Sequence, residues 1–173
     1  RDTLFRNRTS GRILRFVNAF PVKRATADIG AIKESLRLLR SGTALVAFPE
    51  GTRTQDGRIG PLHPGVLAIA KRAKCQIVPT IVEGAFEAWP RGRKYPRMLP
   101  VGVEYGPPIQ PEEMAALETD DAVALLAERF YRLHNQLRER MGREPIDYRL
   151  PMQKQSDPAQ SDDQAGDSTA SAV

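Results

Sequence analysis

The sequence has little of what marks disulfide-stabilised, membrane-spanning or metal-dependent proteins. Its one cysteine, Cys75, allows no disulfide within the chain. Because Cys75 stands between an expected helix and an expected strand, with no histidine nearby in sequence, we interpret it as a buried structural thiol rather than a nucleophile. No run approaches the roughly 18 apolar residues of a bilayer-spanning helix, and neither a signal peptide nor a metal-ligand cluster is visible. Surface association with a membrane stays open.

Aromatic residues are also scarce, whereas positive charge is in excess. Aromatics make up only 6% of the chain, and no groove-reading or base-stacking motif is recognisable, which argues against a nucleic-acid partner. Residues 1–149 carry 25 basic and 17 acidic groups, a net charge of +8, whereas residues 150–173 carry one lysine and four aspartates, a net charge of −3. A basic body favours an anionic partner such as lipid headgroups or a phosphorylated substrate; simple solubility is the plainer alternative.

One short segment combines aromatic and basic residues. Trp89 and Tyr95 stand in EAWPRGRKYPR, among four cationic side chains: Arg91, Arg93, Lys94 and Arg97. Amphipathic rings among cations are typical of segments that lie at a membrane interface. We therefore expect this segment to contact an anionic membrane surface.

Helical and strand patterns alternate along most of the chain. The predicted elements are a strand at 19–23, a helix capped by Asp28 and running to Ser41, buried strands at 43–48 (TALVAF), 76–82 and 98–105, a helix from Pro64 or Gly65 to Lys74, and a helix capped by Asp120 and running to Met141. This alternation predicts an α/β domain over residues 1–149, with a mostly parallel (mixed) sheet flanked by helices. Residues 150–173 show no apolar periodicity, and we expect a disordered acidic tail.

The strand at 43–48 ends in the segment FPEGTR, at the sheet edge where such folds gather ligands. Gly51 lets the backbone approach a ligand closely, and Arg53 offers a planar fork of donors suited to phosphate oxygens. Thr52 adds a hydroxyl, and Glu50 could orient the guanidinium or accept a substrate hydroxyl. The segment is thus a candidate oxyanion-binding turn; a tight turn with a surface ion pair fits the spacing equally well.

FPEGTR resembles a hallmark block of the glycerolipid acyltransferase family, which includes enzymes that make phosphatidic acid from 1-acylglycerol-3-phosphate. Two further segments resemble blocks of that family in the same order: AFPVKR at 19–24 and IVPTIVEG at 77–84. The resemblance covers about residues 1–106 and implies the α/β fold of glycerol-3-phosphate acyltransferase. It also implies a reaction without metal or cofactor, in which acyl-CoA or acyl carrier protein is a co-substrate.

The resemblance assigns roles to nine residues. The phosphate of the acceptor would be held by Arg53, Arg24 and Lys23, in a pocket shaped by Glu50, Gly51 and Thr52. The acyl-donor side would be lined by Pro49, Pro79 and Gly84.

The family's catalytic block, N-H-x-x-x-x-D, has no counterpart here. Its histidine is the general base, a task that suits an imidazole. The chain contains only His63 and His134, and the residues five positions later are Ala68 and Glu139. We expect His63 to be a loop residue, or to support the site from behind the residues that contact substrate, and His134 to be a core or capping residue. We expect the missing block to precede Arg1 in a parent protein, so that these residues alone are inactive.

The predicted reaction is acyl transfer to the free hydroxyl of 1-acylglycerol-3-phosphate at the cytoplasmic face of a membrane, with the protein bound peripherally or through a preceding segment. Glycerol 3-phosphate, dihydroxyacetone phosphate and other lysolipids are alternative acceptors within the family. From a different class, a non-catalytic basic module that binds phosphate or membranes would also explain the charge. The sequence does not indicate an oligomeric state.

Overall fold

The computed structural model describes residues 11–13, 16, 19, 28–90 and 92–149. Its named elements are α1 (Ile29–Arg40), α2 (Gly65–Ala73), β1 (Thr80–Glu83), α3 (Ala85–Ala88), β2 (Gly102–Tyr105), α4 (Pro111–Ala115) and α5 (Thr119–Arg140). Apart from Ala19, the strand expected at 19–23 lies outside the described residues, as do Arg24 and the tail expected at 150–173.

The long helices form where their capping residues and apolar periodicity predict them. The Asp28 carboxylate accepts the amide of Ala31 at 3.0 Å and begins α1, and Gly42 follows its end with φ +79°. The end of α2 is closed by Lys74 in the left-handed conformation. The last helix begins two residues earlier than predicted, with Glu118 at the capping position, so that Asp120 lies in its first turn and complements the helix dipole instead of capping it.

The described sheet is antiparallel, so the prediction of a mostly parallel sheet is wrong for these strands. β1 and β2 are antiparallel, with Thr80 opposite Tyr105 and Val82 opposite Val103, and an isolated antiparallel bridge joins Ile77 to Ile109. Parallel strands need a crossover that carries the chain back along the sheet, commonly a helix. The connection between β1 and β2 contains only the four-residue α3 and a loop, and so the chain returns in the opposite direction.

The segment 43–48, TALVAF, is not the buried parallel strand that its apolar run predicts. Val46 is 83% exposed and Phe48 is 75% exposed, and no segment among the described residues pairs with 43–48 as a strand. An apolar run is buried as a strand only when neighbouring strands and helices cover its edges and faces. The described residues do not supply that cover.

The core lies between the inner face of the sheet and α5. Ile81 on β1 packs with the apolar face of α5 in a cluster that α2 and α4 complete: Leu67, Ala70, Ile109, Met114, Ala122, Leu126, Phe130, Leu133 and Leu137. Cys75 packs against this cluster, and its thiol lies 3.8 Å from the carbonyl of Ala70. Burial raises the pKa of Cys75, in keeping with a structural thiol.

The opposite face of the sheet is apolar but exposed, although both strands were predicted to be buried. Val82, Val103 and Tyr105 point away from α5, and no described residues cover them. Antiparallel pairs can bury one face and leave the other open. No helix in the described ranges is long and apolar enough to cross a membrane.

Candidate functional site

The FPEGTR segment forms a tight turn. The amide of Gly51 donates to the carbonyl of Phe48 at 3.0 Å, and the buried Pro49 accepts the amide of His63 at 2.8 Å. Gly51 has φ +65°, and a Cβ at this position would lie 3.3 Å from Cδ2 of His63. The backbone conformation therefore favours glycine, and a Cβ here would in addition require a small shift of the exposed imidazole.

Glu50 lies on the inner side of this turn. Its carboxylate accepts the amide of Gly60 at 2.8 Å, and burial raises its pKa. The sequence predicted that Glu50 would shape a substrate pocket. That role stays a prediction; the contact that the structure shows is with Gly60, which joins the turn to the far end of the loop at residues 54–60.

That loop is ordered by its own polar side chains. Thr54 Oγ1 accepts the amide of Gly57 at 3.0 Å, and Asp56 accepts the amide of Arg58 at 3.0 Å. Local side-chain bonds of this kind fix turn conformations. Thr52 and Arg53 precede the loop and are exposed residues.

The structure brings His63 to the turn, ten residues after Arg53. Its backbone bonds to Pro49 and its ring lies against Gly51, whereas the sequence left open whether it is only a loop residue or also supports the site. The loop assignment is confirmed, since His63 is exposed just before α2. Its contact with FPEGTR had no sequence signal, because neither spacing nor periodicity relates it to the turn.

The residues predicted for the acyl-donor side have structural contacts of their own. Pro79 is buried and its carbonyl accepts the amide of Gly106 at 2.8 Å. Gly84 has φ +87°, and an ideal Cβ there would lie 2.3 Å from the carbonyl oxygen of Pro100. Their role toward an acyl donor stays a prediction. Lys23 and Arg24 lie outside the described residues, so their placement beside Arg53 also stays a prediction.

A buried charged cluster, not anticipated from the sequence, lies between β1 and α5. Glu83 accepts His134 Nε2 at 2.7 Å, Arg138 at 2.5 Å and Arg143 at 2.7 Å. The side chains of His134 and Glu83 are 3% and 5% exposed, which confirms His134 as a core residue. Burial lowers the pKa of His134, and the ring is therefore neutral near pH 7.

Tyr148 connects this cluster to the loop that follows FPEGTR. Its hydroxyl bonds to His134 Nδ1 and accepts the amide of Ile59 at 3.3 Å. Its ring stacks on Tyr131 with a centroid separation of 4.0 Å, and the Arg58 guanidinium carbon lies 5.4 Å from its centroid. Burial raises the pKa of Tyr148 to about 12, so the hydroxyl keeps its proton at neutral pH.

The described residues contain no group of three or more His, Cys, Asp or Glu side chains placed to hold a metal ion. The FPEGTR turn combines an exposed arginine, a neighbouring imidazole and a carboxylate that accepts a hydrogen bond from the loop. Such a turn is suited to holding an anion.

Residues 1–83 match the family described as Acyltransferase. The 1-acyl-sn-glycerol-3-phosphate acyltransferase of Limnanthes douglasii is 35% identical over 107 residues, which are 61% of this chain and 38% of that protein. The enzyme of the same name from Bacillus subtilis is 30% identical over 125 residues, 72% of this chain and 60% of that protein. The chain thus spans about two fifths to three fifths of these relatives.

The fold is shared with a solved acyltransferase. The crystal structure of the 1-acyl-sn-glycerophosphate (LPA) acyltransferase PlsC from Thermotoga maritima superposes with a TM-score of 0.66 at 22% identity, covering 82% of this chain and 55% of that chain. Similarity at this identity concerns the fold, whereas a function must be argued from the site itself.

Proposed function

Because this chain belongs to the acyltransferase family, we propose that the protein transfers an acyl group from acyl-CoA or acyl carrier protein to the free hydroxyl of 1-acylglycerol-3-phosphate. The product is phosphatidic acid. The observation that carries this proposal is the FPEGTR turn, with Arg53 exposed at its end and Glu50 held by the loop. Relatives from a plant and a bacterium, both named for this reaction, support the choice of acceptor.

The acceptor phosphate is proposed to bind at the outer side of the turn. Arg53 can meet two phosphate oxygens with parallel N–H bonds, and Thr52 is exposed beside it. The amide of Gly60 donates to the Glu50 carboxylate, which directs this negative charge into the loop and away from the proposed phosphate. Lys23 and Arg24, in the block that resembles the family's second, would add further positive charge.

In the proposed reaction the acceptor hydroxyl oxygen attacks the thioester carbonyl. A C–O ester bond forms, the C–S bond breaks, and the thiol of coenzyme A or the carrier protein leaves with a proton. The family resemblance gives the hydroxyl proton to the histidine of an H-x-x-x-x-D block, which these 173 residues do not contain. The proposed contribution of the turn is to position the acceptor by its phosphate, and positioning can supply a large part of a rate enhancement.

We expect the product of the complete reading frame to convert lysophosphatidic acid and acyl-CoA to phosphatidic acid. In that protein, Arg53→Ala should raise the KM for lysophosphatidic acid about 10- to 100-fold, because charge-assisted hydrogen bonds contribute about 1.5–3 kcal/mol. The KM for acyl-CoA should change little. Steady-state kinetics with each substrate varied in turn measure both constants.

Arg72→Ala is a suitable control, because Arg72 is an exposed arginine on the last turn of α2. It should leave both constants unchanged. A rise confined to the KM for acyl-CoA would contradict the phosphate-binding role of Arg53. Phosphate binding without any turnover of lysolipid, glycerol 3-phosphate or dihydroxyacetone phosphate would favour the non-catalytic basic module.

We also propose that the segment EAWPRGRKYPR, residues 87–97, contacts an anionic membrane, which fits a peripheral location at the cytoplasmic face. Trp89 is 50% exposed and Tyr95 is 68% exposed, although the segment is held in shape. The amide of Arg97 donates to Ala88 at 2.7 Å, and the indole of Trp89 donates to the carbonyl of Arg93 at 2.9 Å. Exposed aromatic rings beside basic groups suit the headgroup region of a bilayer.

Trp89 is the only tryptophan of the chain, so its fluorescence reports this segment alone. We expect brominated lipids to quench it in vesicles that contain phosphatidylglycerol, and an Arg93→Gln, Lys94→Gln double variant to weaken the quenching. Charge-dependent binding should also decrease at high salt. Equal fluorescence with brominated and ordinary lipids, under conditions where the protein sediments with the vesicles, would mean that another surface binds the membrane.

A further inference from the structure

The cluster between β1 and α5 continues, through Tyr148, to the loop that follows FPEGTR. We propose that Tyr148 and His134 are positioning residues, which hold residues 58–60 and through them the glutamate of the FPEGTR turn. The part of this inference that concerns substrate rests on the proposed function, whereas the part that concerns the loop rests on geometry alone.

The hydrogen bonds of this network have one consistent direction. Carboxylates only accept, so His134 Nε2 must carry the hydrogen that it shares with Glu83 at 2.7 Å. A neutral ring then has a lone pair on Nδ1, and the Tyr148 hydroxyl, which contacts Nδ1, donates to it. The phenolic oxygen thereby keeps its lone pairs free to accept the amide of Ile59 at 3.3 Å. The tautomer is thus inferred from the partners.

Three successive loop residues are held by two different parts of the chain. Arg58 donates through its guanidinium to the carbonyl of Asp147 at 2.6 Å, and Ile59 donates to Tyr148. The next amide, that of Gly60, donates to Glu50 at 2.8 Å. The Ile59 and Gly60 amides belong to adjacent planar peptide units that are joined at the Cα of Ile59, so a displacement of Ile59 also displaces the Gly60 amide that bonds to Glu50.

The base of the network is rigid. Glu83 lies on β1 and receives Arg138 from α5 and Arg143 from the segment after α5, while Tyr148 is stacked flat on Tyr131, with an interplanar angle of 12°. The contact with His134 and the stacking on Tyr131 therefore hold the Tyr148 hydroxyl in place. Residues 58–60 of the loop are the part of the network that can move. A hydroxyl placed in this way can act on the site without touching substrate.

Tyr148→Phe tests the proposal, because it removes the hydroxyl and leaves a ring that can stack on Tyr131. We expect amide hydrogen exchange of Ile59 and Gly60, measured residue by residue by NMR in the 173-residue chain, to accelerate about tenfold or more, as local opening predicts. Core amides of α5 should exchange as in the wild type. Tyr131→Phe is the matched control, since it makes the same chemical change in the stacked partner, and it should leave the loop amides unchanged.

A second measurement concerns the acceptor. In the product of the complete reading frame, Tyr148→Phe should raise the KM for lysophosphatidic acid about 3- to 10-fold and leave the KM for acyl-CoA unchanged. Unaltered exchange at Ile59 and Gly60, or equal acceleration in both tyrosine variants, would overturn the positioning role. Faster loop exchange in a protein that proves to have no acyltransferase activity would support the positioning role and remove the proposed function, so the two failures are distinguishable.

Discussion

Replacing Gly84 with alanine is expected to lower the free energy of unfolding by about 3 kcal/mol, because two unfavourable effects coincide there. The residue has φ +87°, a conformation that side chains disfavour, and its new Cβ would lie 2.3 Å from the carbonyl oxygen of Pro100. That oxygen belongs to the backbone that leads into β2, so it cannot swing aside as a flexible side chain would. The chain must shift at the junction of β1 and α3.

Alanine variants of two other glycines separate the effect of the positive φ from the effect of the close approach to Pro100. Gly42 has φ +79° but nothing within 4 Å of its ideal Cβ, and Gly65 has neither a positive φ nor a neighbour within 4 Å. Gly42→Ala should therefore cost about 1 kcal/mol, and Gly65→Ala, in α2, should be neutral or stabilising by up to about 1 kcal/mol. Urea unfolding of the three variants measures the series. Equal losses for the Gly84 and Gly42 variants would show that the approach to Pro100 is relieved at no cost.

The Gly84 series bears on the role that the family resemblance gives this residue. Gly84 was predicted to line the acyl-donor side, yet its backbone conformation and its contact with Pro100 would require glycine without any substrate. A loss of activity in Gly84→Ala is therefore not by itself a sign of donor contact. It becomes one only if the KM for acyl-CoA rises in a variant whose stability has been restored elsewhere.

The sequence predicted the three longest helices, α1, α2 and α5, because their determinants are local, whereas the short α3 and α4 were not predicted. Each determinant depends on residues that are close together in sequence. Examples are the cap at Asp28, the glycine after α1 and the apolar periodicity of α5. The family blocks were recognised for the same reason, since FPEGTR and IVPTIVEG are contiguous in sequence. The turn at Gly51, with φ +65°, likewise follows from residues that are adjacent to it.

The sheet was predicted less well because strand pairing depends on distant residues. Apolar runs such as TALVAF indicate a strand but not its neighbours, and in the structure Val46 and Phe48 are exposed. Strand direction is also set by the connection: the loop between β1 and β2 reverses the chain, although the composition of both strands would suit a parallel sheet. Periodicity alone does not distinguish these cases.

The charged cluster and its link to the turn have no sequence signature. Glu83 and His134 are 51 positions apart, and Ile59 and Tyr148 are 89 apart. Each of these residues is unremarkable at its own position, and only the packing of α5 on β1 brings them together. The residues that hold the FPEGTR loop could therefore be found only in the folded structure.

This cluster also provides the second large effect: Glu83→Gln is expected to lower the free energy of unfolding by about 3 kcal/mol. Glu83 is 5% exposed at its side chain and accepts His134, Arg138 and Arg143. An amide has one acceptor oxygen and one donor NH₂ group, so at least one of these donors would face another donor. Arg138 would lose its counter-charge, whereas Arg143 would keep only its pair with Glu87 at 2.9 Å. Breaking a buried ion pair by neutralising one partner commonly costs about 3–5 kcal/mol.

Glu104→Gln is the matched control, since Glu104 lies on β2 and pairs with Arg140, at side-chain exposures of 20% and 59%. A pair with one partner this open to solvent is expected to contribute about 1 kcal/mol, and the control should lose about that much. Thermal and urea unfolding of both variants provide the comparison. Similar losses in the two would mean that the cluster around Glu83 is as solvated as the surface pair, and that it cannot hold Tyr148 in place.

The pH dependence of the Glu83→Gln effect has a definite sign. Burial acts to raise the pKa of Glu83, but hydrogen bonds from His134 and Arg143 and the charge of Arg138 lower it below its ordinary value of 4.5. A carboxyl whose folded pKa is depressed stabilises the fold fully above its unfolded pKa, and this stabilisation is lost as the pH falls through the folded value. The stability difference between wild type and Glu83→Gln should therefore be constant near neutral pH and shrink below about pH 4.5. A difference that persists undiminished in acid would assign the loss to altered packing, since the ionised carboxylate would then have no part in it.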